Sequence, residues 1–276
     1  MSSGSTSSFT ISGLTNDQEY EVELRAANSV GAAAASDIKQ VTPAGSSWTI
    51  TDLTNAVAIY DIAVLSSLFQ ERTGGGTTPA GVGDAVGTIR DLTGGGLHLV
   101  ATSDAARATL QQSGDRYYLV FDGTDDGYTA SGFSPGNNVA IGGAWRRRST
   151  YTSYAAIFGI VGGSYATSDT VVLARHDSSN NSHVYVNGSQ RLGMATAVDT
   201  DYVEDVTKVG TTVSRLRNSE AEQNYTSANN AIAGAFSVGG GGNNMYWYGA
   251  HVATTYEADE RDLARAHWAA RSAVTF

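Results

Sequence analysis

The chain has 276 residues, with 32 glycines, three prolines, no cysteine and a formal charge of −10 at neutral pH. That length buries a sizeable core without covalent staples, and the missing cysteine excludes a disulfide framework and any thiolate metal site. The acid excess argues against a nucleic-acid partner, whose phosphates require basic surface; no apolar run approaches a membrane span, so no membrane insertion is expected.

Residues 1–8 are too polar to fold and lack the basic and apolar regions of a signal peptide. Phe9, Ile11 and Leu14 then alternate into a turn at residues 15–17. Beyond it Tyr20, Val22, Leu24 and Ala26 share one face and Glu19, Glu21, Glu23 and Arg25 the other, which is the period of a half-buried strand. A turn at 28–31 and a third strand at 38–41 follow, before Pro43 and a short linker at 44–47.

From Trp48 one long domain is expected to run to the end. Residues 57–61 are an apolar strand, and Ile62, Leu65, Leu68 and Phe69 have near-helical spacing. A Gly/Thr-rich loop at 73–82 leads to short strands at 86–91 and 97–100. Residues 117–130 form a strand, a corner and a second strand, because Asp122-Gly123 and Asp126-Gly127 supply the acceptors and the permissive φ of a tight turn. Val120 and Phe121 are expected at the start of a core strand, with Asp122 bonded to turn amides. Further strands are expected at 139–145, 155–161, 170–175, 183–187, 236–239 and 247–250; Asn187-Gly188 signals a type I′ hairpin. A helix at 257–271 closes the chain, with Glu257, Asp259 and Glu260 in its first turn and Arg265 and Arg271 later, as the macrodipole favours. Strands roughly ten residues apart with Gly/Asn/Ser turns make an all-β, antiparallel sandwich or barrel.

Two stretches resemble known families. Residues 13–20 and 25–31 resemble the C-terminal half of a fibronectin type III domain, with Leu14 and Tyr20 in the place of its tyrosine corner. That implies that residues 1–45 are a partial fibronectin-like segment whose apolar face is completed by another copy, in a dimer or trimer, by a different protein, or by strands upstream in a longer chain. The phrase from Phe121 to Tyr128, the 105–112 stretch with Ala108 where proline is usual, and the closing glycine strand and helix resemble the laminin G-like, concanavalin A-like jelly roll of bacteriophage structural proteins. Residues 46–276 are assigned to it. The resemblance is weakest between 190 and 235. It implies a two-sheet jelly-roll sandwich and a non-enzymatic virion protein, assembled in the bacterial cytoplasm and then extracellular. Such a protein contacts other virion proteins and a host-surface polysaccharide. The alternatives are a bacterial polysaccharide-binding module or glycan-active enzyme, and a purely structural decoration protein.

The chemistry-bearing residues are sparse. A glycosidase needs two carboxylates facing one cleft, and no Glu-x-Asp-x-Glu occurs; hydrolysis is not expected. Asp122, Gly123, Asp125 and Asp126 are assigned to a structural corner, with calcium as the alternative use of the carboxylates. No other cofactor or metal is expected: His176 and His183 lack a third ligand, and no nucleophile elbow, phosphate loop or dinucleotide fingerprint occurs. Arg147, from the run Arg146-Arg147-Arg148, is assigned with Tyr151, Tyr154, Tyr165, Asn180 and Asn181 to a glycan-binding surface, since charge and ring stacking suit sugars. Tyr225 shares that Ser/Thr/Asn-rich loop composition.

Overall fold

The computed structural model describes residues 11–276 apart from 12–13, 15–17, 26, 30, 33–35, 43–47, 74–75, 150–154, 163–169, 176–180, 188, 241 and 258. The chain divides into two compact units, 1–48 and 49–276. In the first, β1 (Tyr20–Val22) is one short strand; β2 (Ala27–Asn28) and β3 (Gly31–Ala32) make a hairpin, and β4 (Lys39–Val41) returns to pair with β1, placing Tyr20 opposite Val41. Leu14, Tyr20 and Val22 are half-buried, whereas Ile11, Leu24, Ile38 and Val41 are exposed. Leu24 departs from the expected alternation because β1 ends at Val22.

In chain order the larger unit contains β5 (Ala56–Asp61), β6 (Leu68–Phe69), β7 (Thr88–Ile89), β8 (Leu99–Ala101), β9 (Thr109–Ser113), β10 (Arg116–Asp122), β11 (Gly127–Gly136), β12 (Val139–Arg147), β13 (Ala155–Val161), β14 (Val171–Arg175), β15 (Asn181–Val186), β16 (Ser189–Ala195), β17 (Thr200–Val209), β18 (Thr212–Arg217), β19 (Gln223–Thr226), β20 (Ile232–Gly239) and β21 (Asn244–Ala253), then helix α1 (Glu260–Ser272). They form two antiparallel sheets. The eight-stranded sheet runs β19-β18-β17-β12-β21-β10-β9, with β5 also on β21; the nine-stranded sheet runs β16-β15-β14-β13-β20-β11-β8-β7-β6. Leu119, Phe121, Ile141, Trp145 and Trp247 from the first meet Tyr128, Phe133, Phe158, Leu173 and Phe236 from the second in one core. Each such side chain contributes about 1.5–3 kcal/mol on burial. The all-β jelly-roll-like sandwich with a C-terminal helix is therefore the architecture.

Three local expectations change. Residues 62–69 are not helical: a 3-10 turn at Leu65–Ser67 carries the chain from β5 in one sheet to β6 in the other. Val120 and Phe121 lie near the end of β10 rather than the start of a strand, with Phe121 in the core and Val120 half-buried on the opposite face. Helix α1 begins at Glu260, three residues later than expected, because Asp259 takes a left-handed φ of 66° and the Glu260 carboxylate binds the amides of Thr54 and Glu257, each at 2.8 Å. β15 and β16 pair as the expected hairpin, with Asn187 at φ 50° and Val186 opposite Ser189.

Helix α1 packs on the outer face of the eight-stranded sheet, against β12, β17, β21 and β10. Its buried residues Glu260, Ala264, Trp268 and Ser272 recur every fourth position, one helical face. The sheet receives them over glycines: a Cβ on Gly142 would lie 2.5 Å from the His251 ring, and one on Gly249 2.6 Å from Trp268. Trp268 Nε1 donates to His251 Nδ1 at 2.9 Å, so the neutral imidazole carries its proton on Nε2, 2.6 Å from Tyr256 Oη. Tyr256 in turn donates to Asp205, which also accepts from Arg261 Nε at 2.7 Å. At the helix end Asp61 accepts from His267 and Arg271.

Burial, and then the neighbouring His267, pushes the His251 pKa down to about 3. The unfolded chain takes up that proton near pH 6.5, so this contribution is complete above that pH and is lost as pH falls toward 3. At about 1.4 kcal/mol per pH unit, the loss is several kcal/mol. Denaturant titrations from pH 7 to 4 should show a steeper fall in stability for the native protein than for His251→Gln; parallel curves would contradict this seating.

Candidate functional site

Alternation along three adjacent strands assembles a cleft on the part of this outer face that α1 leaves open. On β10, Leu119 and Phe121 point into the core while Arg116, Tyr118 and Val120 point out; on β21, Met245 and Trp247 point in while Tyr246 and Tyr248 point out. On β12 and just beyond it, Trp145 and Arg147 are buried, and Arg146 and Arg148 are half-exposed. Register sets Val120 beside Tyr246, Tyr246 beside Arg146, and Arg146 beside Asp201. Ser113, Arg116, Tyr118, Arg146, Tyr246 and Tyr248 line an open cleft of about 150 Å³.

Its aromatic floor is compact. The Tyr118 ring lies 4.3 Å from Tyr246 and 5.8 Å from Tyr248, centroid to centroid. The Arg148 guanidinium sits 4.7 Å from the Tyr246 ring centroid, and that of Arg146 5.9 Å. Behind the rings Asp201 organises two of these groups: Arg146 Nε donates to Oδ1 at 2.9 Å and its Nη2 to Oδ2, and Tyr248 Oη donates to Oδ1 at 2.7 Å. Burial raises the Tyr248 pKa, and the Asp201 charge raises it further. Burial and the adjacent Tyr246 also raise Tyr118. These two phenols therefore remain neutral hydrogen-bonding groups through the physiological range. Aromatic faces beside fixed donors are the ingredients of carbohydrate recognition.

Of the sequence-assigned glycan residues, Arg147 and Asn181 fall among the described residues, and neither lines this cleft. Arg147 is 2% exposed and points inward, its Nε donating to Ser149 O at 2.8 Å and its Nη1 to the Thr196 carbonyl oxygen. Strand alternation inverts it relative to its two neighbours, and an enclosed guanidinium cannot meet a surface sugar. Asn181 opens β15 opposite Ala195 and is half-buried; Tyr151, Tyr154, Tyr165 and Asn180 lie outside the described residues, as does His176. His183 stands within β15 rather than in a loop, and Tyr225 within β19. Tyr118, Tyr246, Tyr248 and Arg146, which do line the cleft, are not among the residues assigned from sequence. The available signal was period two: Arg146-Arg147-Arg148 and Tyr246-Trp247-Tyr248 each alternate out, in, out.

At the other end of β10 the corner is a turn held by its own carboxylates. Asp122 Oδ1 accepts from Thr124 N at 2.7 Å, and Asp126 Oδ2 from Asp122 N at 2.8 Å. Gly123 has φ 89°, and the glycine loop docks alongside through Gly242 N to Thr124 O at 3.1 Å. Asp122, Asp125 and Asp126 place carboxylate oxygens within 4.8 Å of one another, which is also the spacing a shared cation would use. Burial, and then the Asp122 and Asp125 charges, pushes the Asp126 pKa up to about 6, against the opposing bond from the Asp122 amide. A raised carboxyl is best accommodated below pH 4, and its contribution is lost as pH rises through 6. Asp126→Asn keeps the acceptor and removes the charge, so it should stabilise the fold at pH 7.5 by about 1 kcal/mol after solvent screening, with no gain at pH 4. Urea melts at the two pH values read this directly, and destabilisation at pH 7.5 would show that the charge is needed.

The remaining buried carboxylates are committed elsewhere. Glu204 faces inward and accepts from Arg215 Nη2 at 2.8 and 3.0 Å. Asp201 and Asp205 share the outer face of β17 four residues apart, roughly 13 Å along a strand, which exceeds the roughly 5–9.5 Å separation of a glycosidase pair.

No family model matches the chain, and no curated protein matches it in sequence. Solved structures match its fold. A GH54 α-L-arabinofuranosidase soaked with 4-nitrophenyl α-L-arabinofuranoside superposes with TM-score 0.56 at 13% identity, over 80% of this chain and 64% of that one. An arabinofuranosidase complexed with arabinofuranosyl-α-1,2-xylobiose gives 0.53 at 11% identity, over 79% and 60%. Domain 4 of AbnA, a GH43 extracellular arabinanase from Geobacillus stearothermophilus in complex with arabinotriose, gives 0.54 at 9% identity, over 80% of this chain and 99% of that one. The chain thus spans less than two thirds of the two arabinofuranosidases. These likenesses establish the sandwich alone. They nevertheless correct the expectation of a non-enzymatic virion protein, which rested on family resemblance and on the missing Glu-x-Asp-x-Glu pair: the sandwich is shared with glycosidases and an arabinanase domain, and it gives no ground for setting glycan chemistry aside.

Proposed function

We propose that this chain is a glycan-active protein that seats a sugar ring in the outer-face cleft of the eight-stranded sheet. The observation that carries this is the cluster of Tyr118, Tyr246 and Tyr248 beside Arg146, whose guanidinium Asp201 fixes in place. A pyranose or furanose ring presents C–H groups to the rings, and its hydroxyls meet the donors at the rim. The sandwich neighbours, two of them arabinofuranosidases and one an arabinanase domain in complex with arabinotriose, support a pentose-containing polysaccharide as the ligand. Asp201 acts as a positioning residue, since both of its oxygens are engaged by Arg146 and Tyr248.

The test measures binding and sugar release together. Calorimetric titration with oligosaccharides from arabinan, xylan and pectin should give saturable binding, and incubation with the parent polymers should be followed by reducing-end assay. Tyr246→Ala should weaken binding at least tenfold, about 1.4 kcal/mol or more for a stacked aromatic at the centre of a site, lower any release in parallel, and leave the melting temperature within a few degrees. Native affinity retained by a folded Tyr246→Ala would overturn the site.

A further inference from the structure

The cleft concentrates positive charge on a chain that carries ten more acids than bases. Three arginines surround its three tyrosines, and they differ in how far each is neutralised. Arg146 is matched by Asp201, with two parallel N–H···O bonds. Arg116 spends one donor, Nη1, on the carbonyl oxygen of Ser272 at the end of α1, at 3.2 Å. Arg148 lies against the Tyr246 ring. Among the described residues no carboxylate forms an ion pair with Arg116 or Arg148. Their charges reach different rings of the floor: Arg116 acts on Tyr248, and Arg148 on Tyr118. A surface meant for a neutral sugar has no use for two uncompensated guanidinium groups, whose planar forks match a carboxylate.

We infer that the sugar seated on these tyrosines is acidic, a uronic-acid unit whose carboxylate is taken by Arg116 or Arg148. This rests on the glycan reading above and specifies its ligand. The alternative use of Arg116, as a cap for the helix C-terminus, satisfies one donor and leaves the remainder of the fork for the cleft. Arg148 rests its guanidinium on the Tyr246 ring, and among the described residues no carboxylate takes its fork.

The experiment uses the full chain and three trisaccharide probes: trigalacturonic acid, its methyl ester, and a sulfated galactotriose, each titrated at 20 and 200 mM NaCl. The free acid should bind at least tenfold tighter than the ester at 20 mM salt, and the preference should shrink at 200 mM because paired charges are screened. Arg148→Gln and Arg116→Gln should each cut the acid-over-ester ratio at least threefold, and Arg148→Lys should restore most of it; unchanged melting curves would exclude simple unfolding. Equal affinity for acid and ester would overturn the inference while leaving the glycan reading intact. A preference for the sulfated probe over the uronate would replace the carboxylate with a sulfate and also overturn it. Failure of all three probes, together with the neutral oligosaccharides, would overturn both.

Discussion

The architecture depends on how one short helix is seated. The eight-stranded sheet buries its inner face in the sandwich, and its outer face still needs a cover over the central strands β12 and β21. Helix α1 supplies it only because Gly142 and Gly249 leave the sheet flat enough for the His251 and Trp268 rings, which stack 3° from parallel. The Trp268–His251–Tyr256–Asp205–Arg261 chain then fixes the helix laterally, and the Asp61–Arg271 pair fixes its end. With thirteen residues the helix spans about 20 Å. It stops short of the Tyr118–Tyr246 end of the sheet, so the cleft is the part of this face that α1 leaves open.

That geometry also separates two kinds of charge. Inside the sandwich, Arg215 donates to Glu204, Ser182 O and Leu192 O, and Lys208 Nζ donates to the carbonyls of Asn137, Gly210 and Asn230 at 2.8–3.0 Å. Lys208 Nζ uses all three donors and Arg215 both of its terminal nitrogens, and removing a partner would leave a buried charge bare. The arginines of the cleft are different: they are half-exposed, carry open donors, and stand beside aromatic faces. Engaged charge specifies the fold, and open charge is available to a ligand.

The same distinction explains what the sequence disclosed. Strands such as β13, β14 and β15 were legible because they are apolar or alternate cleanly between turn residues. Residues 190–235 were not, although they hold β16 through β19. There Glu204, Lys208, Arg215 and Arg217 occupy inward positions that a periodicity scan scores as exposed, and only the tertiary partners make them core. The acidic corner was readable as a turn from Asp and Gly alone. The cleft was not, because it is built from single outward positions of strands far apart in sequence. Tyr118 and Tyr246 are neighbours only after β21 inserts between β10 and β12. Runs of three, taken as units, hid the alternation that separates Arg146 and Arg148 from Arg147.

The most direct measurement is a crystal structure of the chain with a bound oligosaccharide. Sugar density is expected on the Tyr118 and Tyr246 rings, with polar contacts to Arg146 and to Arg116 or Arg148, and with α1 unmoved. Density seated elsewhere on the sandwich, with these rings untouched, would contradict it.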